Sequence, residues 1–332
     1  MATYLGTHGS KIQNYTTDPD NPNTGEVWYN DTDNVLKFQY PAVTTTGSWR
    51  TGNSLNTTRS DISGAGANNT ATLAFGGETG SKSALTESWN GTNWTEVNDL
   101  NTARSYMAGI GIYTAALGVG GAPGGNTETE IWNGTNWTEV NDINTGRRNF
   151  AGAGTTTSGL VFGGLPGVDA ETELWNGTNW TEVNDLNQAR SNNAGDGASN
   201  TSAITFGGRA PPPYLANTET WNGTNWTEVN DLNTARGYFA GCGRPDAALA
   251  YGGITPYFAL TEQWNGTNWT EVADLPTGVS QLGGTGVQTS ALAFGGSTPS
   301  QTGATNEWDI GVPIGAWATG GNVNTARGDS GG

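Results

Sequence analysis

Between residues 100 and 140, short apolar runs alternate with polar turns at a spacing too tight for helices. The run Ala108-Gly109-Ile110-Gly111-Ile112 predicts a strand of small side chains, and Tyr113-Thr114 a turn. Ala115-Ala116-Leu117-Gly118-Val119 then reads as a buried strand closed by Gly120-Gly121. After a polar loop, Thr129-Glu130-Ile131-Trp132 predicts a third strand and Trp137-Thr138-Glu139-Val140 a fourth. The intervening Asn133-Gly134 predicts a hairpin, with a type I′ turn expected because Asn and Gly both accept positive φ. Small residues suit an innermost strand, where strands converge on a common axis.

The pattern recurs. Five times the chain spells T-E-x-W-N-G-T-N-W-T-E-V, centred on Trp89/Trp94, Trp132/Trp137, Trp175/Trp180, Trp221/Trp226 and Trp264/Trp269. A sixth, decayed copy is expected to carry Trp308 and Trp317. Gly-Gly marks follow Phe75, Val119, Phe162, Phe206, Tyr251 and Phe294. An arginine opens each unit at Arg59, Arg104, Arg147, Arg190 and Arg236, is replaced by Val279, and returns at Arg327. Four strands per unit of roughly 43–48 residues predict propeller blades, and six complete units predict six of them. The outer-strand-plus-connector segment occurs at both ends, from Trp49 to Arg59 and from Trp317 to Arg327. One copy is redundant, so either end could close the ring.

These marks together resemble the kelch repeat: a Gly pair ending the second strand, an aromatic on the third, Trp on the fourth and Arg opening the next unit. Here Trp stands where kelch units usually carry Tyr on the third strand, and the hairpin is tighter. The resemblance spans residues 49–327 and implies an all-β fold, a six-bladed kelch-like β-propeller over residues 47–332. Residues 1–46 lack the marks. Gly25-Glu26-Val27-Trp28-Tyr29-Asn30 and Val35-Leu36-Lys37-Phe38-Gln39-Tyr40 predict an N-terminal β-hairpin extension. That string resembles short modules of bacteriophage tail-fibre and virion proteins. The resemblance implies a virion-attachment or oligomerisation segment that contacts other virion proteins and could support a homo-oligomer; the plainer reading is a strand pair capping the propeller.

Composition narrows the chemistry. A net charge of −17 disfavours nucleic acid and anionic membrane surfaces, and no apolar run is long enough to insert in a membrane. One cysteine (Cys242) and one histidine (His8) exclude an internal disulfide framework and a Cys/His zinc cluster. The N-terminus has no basic, apolar signal pattern. A virion protein assembled in a host cytoplasm and exposed on the released particle fits all of this.

Catalysis finds little support, since His8 lies outside the repeats and a Ser-His-Asp or Cys-His centre needs a placed histidine. No catalytic residues, metal ligands or cofactors are expected. Glu130, Glu173, Glu219 and Glu262 recur in register with Asp142, Asp185, Asp231 and Asp274. Such symmetry predicts structural carboxylates pairing with the connector arginines between blades. Recurrence likewise predicts that the Trp pairs pack rather than bind sugar, that Asn-Gly-Thr triplets are turns, and that Cys242 is a buried free thiol.

The repeats disagree mainly on one face. The loops joining second and third strands vary in length and content, as do the residues after each connector arginine, whereas N-G-T-N is uniform in five units. Aromatics on the variable face are the candidate ligand anchors: Tyr106, Phe150, Tyr214, Tyr238, Phe239, Tyr257 and Phe258. The expected function is a phage tail-fibre or appendage propeller binding a host-surface glycan or protein. The alternatives are a capsid-decoration or tail-collar protein without receptor role, and a polysaccharide-degrading propeller enzyme.

Overall fold

The computed structural model describes residues 47–310, apart from 211, 212 and 255, and within the first 46 residues the segments 5–6, 9–10, 13–16, 27–32 and 35–38. Contacts divide the chain into two units, 47–310 on one hand and 1–46 with 311–332 on the other. In the smaller unit, Val27–Asn30 pairs antiparallel with Val35–Phe38 and parallel with Gln13–Tyr15, and Leu5–Gly6 pairs with Gly9–Ser10. The predicted N-terminal hairpin is therefore present.

Residues 47–310 form a six-bladed β-propeller, each blade a four-stranded antiparallel sheet, with no helix among the described residues. Blade 2 is Ala108–Ile112, Ala115–Val119, Thr129–Trp132 and Trp137–Val140, inner to outer. The inner strands adjoin one another around the axis and close the ring. Blade 6 consists of Gly283–Val287, Ser290–Phe294, Thr305–Asp309 and, as its outer strand, Ser48–Gly52. The N-terminal copy thus closes the ring. Trp308 pairs with Trp49, not with Trp317, which lies outside the described residues.

The repeated residues tie strands within a blade and blades to one another. The first Trp of a pair donates its indole N–H to the turn between strands 1 and 2 of its own blade, as in Trp132 to Tyr113 O (3.1 Å) and Trp264 to Pro245 O (2.8 Å). Except for Trp180 of blade 3, whose indole N–H has no hydrogen-bond partner, the second Trp donates to a threonine of the preceding blade, as in Trp137 to Thr86 Oγ1 (3.1 Å) and Trp226 to Thr172 Oγ1 (3.0 Å). At four interfaces it meets the aromatic before the Gly pair edge-on, as in Phe75–Trp137 at 4.8 Å and Phe162–Trp226 at 4.9 Å. Pairs of this geometry contribute ~0.5–1.5 kcal/mol each beyond area burial. The Trp pairs are buried packing elements.

The Gly pair supplies a second joint. Both glycines hold positive φ (59° and 109° for Gly120 and Gly121), and a Cβ on Gly121 would lie 2.7 Å from Ser105 O. The second glycine donates its N–H to the carbonyl at the next connector's arginine position. The bond recurs at all six interfaces, from Gly77 to Arg104 O (2.9 Å) round to Gly296 and Arg59 O (2.8 Å).

The uniform N-G-T-N hairpins are four-residue loops, not type I′ turns. Only Gly134 has positive φ, and Asn133 Oδ1 instead accepts the N–H groups of Thr135 and Asn136 (both 2.9 Å). Asn98 of the preceding blade clamps the same loop through Thr135 O (2.9 Å) and Asn136 Oδ1 (2.8 Å). Asn53, Asn141, Asn184 and Asn230 repeat that clamp. The loops are alike because they belong to the inter-blade lattice.

The connector arginines are fully buried and pair with the third-strand glutamates at 2.5–3.1 Å. Each links a connector to the blade it enters, so the expected pairing between blades is corrected to pairing within one unit. The aspartates do something else: Asp99, Asp142 and Asp274 accept N–H groups of Thr86, Thr129 and Thr261. Burial lowers the pKa of Arg59, Arg190 and Arg236 despite their partners, so desolvation outweighs the pairing. Removing one partner alone is then the damaging change. Arg147→Val should destabilise the propeller by about 3–5 kcal/mol, because Glu173 is left buried and unpaired. Arg147→Val with Glu173→Asn, the combination blade 6 carries at Val279 and Asn306, should recover much of that loss. Urea unfolding of the three proteins measures both effects.

Candidate functional site

Two residues beyond each connector position stand Asp61, Tyr106, Asn149, Asn192, Tyr238 and Gln281, one per blade. All six have φ between 51° and 57°, and they are the non-glycine residues with positive φ among the described residues. Asn and Asp accept this conformation readily; Tyr and Gln do so at a cost of about 1–2 kcal/mol each. Their backbones explain why it persists. Each N–H donates to the carbonyl of its counterpart one blade back: Tyr106 to Asp61 (3.1 Å), Asn149 to Tyr106 (2.9 Å) and Asn192 to Asn149 (2.7 Å). Tyr238 to Asn192 (3.1 Å), Gln281 to Tyr238 (2.8 Å) and Asp61 to Gln281 (2.8 Å) complete a closed circle around the axis.

This circle rims a cup of about 140 Å³ at one mouth of the central channel. Tyr106 and Tyr238 belong to blades 2 and 5 and so stand on opposite sides of the axis. Between them on one side, Asn149 Nδ2 donates to Asn192 Oδ1 (2.6 Å); on the other, Gln281 Nε2 donates to Asp61 Oδ2 (3.1 Å). Ile62, Met107, Phe150, Asn193, Phe239 and Leu282 line the floor. The cup thus brings together two phenol rings, an amide pair, an amide–carboxyl pair and a floor that is apolar except for Asn193.

Burial pushes the Asp61 carboxyl up to about 6, and Ser60, Tyr106 and Gln281 oppose this by favouring the carboxylate. Tyr106 is raised above its ordinary value, first by burial and then by Asp61, so its hydroxyl keeps its proton and remains a donor. Deeper in the channel, Asp196 breaks the symmetry of the inner strands, where its counterparts include Ile110 and Cys242. Its carboxylate accepts the N–H groups of Gly197 (2.7 Å) and Gly243 (2.9 Å), yet burial still lifts it to about 7. Cys242 is a buried free thiol, as expected. Among the described residues, no three His, Cys, Asp or Glu side chains gather as a metal site would require.

The seven sequence-selected aromatics fall into three groups. Tyr106 and Tyr238 are in the rim of the cup, half-buried. Phe150 and Phe239 are 5% and 7% exposed and carry the guanidinium groups of Arg147 and Arg236 over their rings, so they form its floor and do not project. Tyr214, Tyr257 and Phe258 sit on the longer loops away from the cup, with Tyr257 the most exposed at 37%. Pro211, Pro212 and Thr255 of those loops lie outside the described residues. Selecting aromatics passed over the polar half of the circle: Asp61, Asn149, Asn192 and Gln281. The signal for them is positional, a fixed offset of two from the connector position at which six units hold four residue types.

No protein-family model matches the chain, and no curated protein matches it.

The raised carboxyls set a pH dependence. In the folded state Asp61 binds its proton more tightly than an ordinary carboxylate near 3.8, so stability falls as pH rises from about 4 to about 6 and levels off above. Asp196 adds the same sign up to about pH 7. Asp61→Asn should therefore gain stability relative to the parent between pH 4 and pH 7, by roughly 2–3 kcal/mol at most. Urea midpoints from pH 4 to 8 test this; parallel profiles for parent and variant would mean that Asp61 titrates normally.

Proposed function

We propose that this chain is a virion display propeller of a bacteriophage, carried on a tail fibre or similar appendage, whose axial cup binds a glycan on the host surface. The observation that carries the reading is the rim circle: one backbone template, held by six hydrogen bonds, presenting unlike side chains inside an otherwise uniform scaffold. Residues that serve packing are nearly the same in blades 1–5; residues that differ at one symmetric position are free to be specific. Paired amides, a carboxyl and phenols offer both donors and acceptors to hydroxyls, while aromatic faces suit the C–H surface of a sugar ring. The reading is of binding: Tyr106 stands beside the Asp61 carboxyl, but burial and that carboxyl hold its proton in place, so the pair serves as hydrogen-bond donor and acceptor. The kelch-like marks and the Gly25–Tyr40 segment support the virion assignment, with residues 1–46 as the part that meets other virion proteins.

Asn tolerates the rim conformation and already occupies it twice, so Tyr106→Asn with Tyr238→Asn removes the rings while keeping the backbone. Glycan-array binding and attachment to host cells should weaken tenfold or more, ~1.4 kcal/mol, with a melting temperature that does not fall, since Asn relieves the rim strain. Tyr257→Ala with Phe258→Ala tests the outer loops in the same assay and should also weaken attachment tenfold. Attachment that survives both pairs of changes, or that is lost only on altering the N-G-T-N loops, would refute this face. A chain that binds no host surface at all would favour the collar or decoration role.

A further inference from the structure

Blade 6 lacks three residues that act together in the other five. Val279 replaces the connector arginine, Asn306 replaces the third-strand glutamate, and Pro276 replaces the connector asparagine. In blades 1–5 that asparagine's N–H donates to the glutamate at 2.7–2.8 Å; proline has no N–H to donate. The loss is concerted, and it leaves a space. A cavity of about 280 Å³ lies where the other blades hold their guanidinium, lined by Val279, Leu282, Phe294, Gly295, Ala304 and Asn306 among others, with exposed Thr51, Pro276 and Thr277 at its rim.

The frame around the space is unchanged. In blades 1–4, the arginine NH1 donates to two backbone carbonyls, that of the first glycine of the pair and that of the residue before the third strand. In blade 1 these are Gly76 O (3.0 Å) and Leu85 O (2.6 Å), and in blade 2 Gly120 O (2.9 Å) and Glu128 O (2.8 Å). The backbone bond that sets their spacing, Gly76 N to Leu85 O at 3.0 Å, recurs in blade 6 as Gly295 N to Ala304 O at 3.0 Å. Gly295 and Ala304 both line the cavity. Asn306 stands in the glutamate's place as a third polar group, and no charged side chain lines the space.

We propose that this cavity binds a guanidinium group from outside the ring, that of an arginine side chain presented by a partner protein. Five occupied copies within the same molecule show what the frame accepts. Guanidinium fits better than ammonium, because its planar fork matches two fixed carbonyls and it gives up water more easily. The open rim leaves the cation partly in solvent, so a carboxylate is not obligatory, and the chain's net charge of −17 favours the approach of a cation. Of the residues that line it, Leu282 alone also lines the axial cup.

The test is calorimetric or NMR titration of the full chain with ethylguanidinium chloride at millimolar concentration, against butylammonium chloride and against the peptide acetyl-Gly-Arg-Gly-amide. Saturable binding of ethylguanidinium and of the peptide, with none of butylammonium, is expected. Val279→Arg, which fills the cavity from within, should abolish it. Asn306→Glu, which restores the acid, should tighten it tenfold or more and covers the case in which Val279→Arg folds poorly. Binding of ethylguanidinium without the peptide would overturn the partner-borne source. No saturable binding, equal binding of butylammonium, or binding that ignores Asn306→Glu would overturn the site and leave a water-filled gap.

Discussion

A guanidinium buried at the root of a blade is the interaction on which the propeller depends. In blades 1–4 it ties three chain segments that are distant in sequence: the incoming connector, the Gly-Gly corner and the third strand. The carboxylate it neutralises then accepts the connector's own N–H groups, so one ion pair fixes the path between blades. Desolvating both charges is costly, and the lowered arginine pKa values show that cost unrecovered in part. What the pair provides is position. Once the connector is fixed, the carbonyl at the arginine position meets the preceding blade's glycine N–H, and the residue two further on is placed at the axis.

From that placement the rim circle follows. Its six hydrogen bonds run between backbones, so they are indifferent to side chains, and the left-handed conformation is imposed by the ring and not by local preference. This is why Tyr106, Tyr238 and Gln281 hold a geometry that would suit Asn or Gly better. A scaffold of this kind can change rim chemistry without altering its interfaces, since the indole, threonine and glycine contacts that join blades lie elsewhere.

Much of the fold was legible in the sequence because each interface contact has a distinctive residue. Strand limits in blade 2 coincide with those expected from small residues, the Gly pair and the two tryptophans. Ring closure was not legible, because Trp49 and Trp317 carry equivalent signals and only pairing with Trp308 distinguishes them. Turn type was missed because Asn133 caps the hairpin with its side chain, which the dipeptide Asn-Gly does not reveal. Of the site, the aromatic half was visible and the polar half was not. Asp61, Asn149, Asn192 and Gln281 look like ordinary loop residues until the ring brings them to one axis. Phe150 and Phe239 looked like loop aromatics, but they are one residue past the rim and turn inward.

The two carboxyls on the axis also bear on what the cup can accept. Asp61 is at the rim and Asp196 further along the channel, each without a paired cation and each raised because burial disfavours its charge. An anionic ligand would meet both, and would disfavour their ionised forms further. A cation would be attracted, yet the floor is apolar and nearly every other rim group is a neutral amide or phenol, which gives little to offset its desolvation. A neutral, hydroxyl-rich ring escapes both penalties. It can donate to Asp61 in either protonation state, accept from the amides, and lay its apolar surface on a phenol. If the cup binds the proposed glycan, selection at this axis would work as much by excluding charge as by matching hydroxyls.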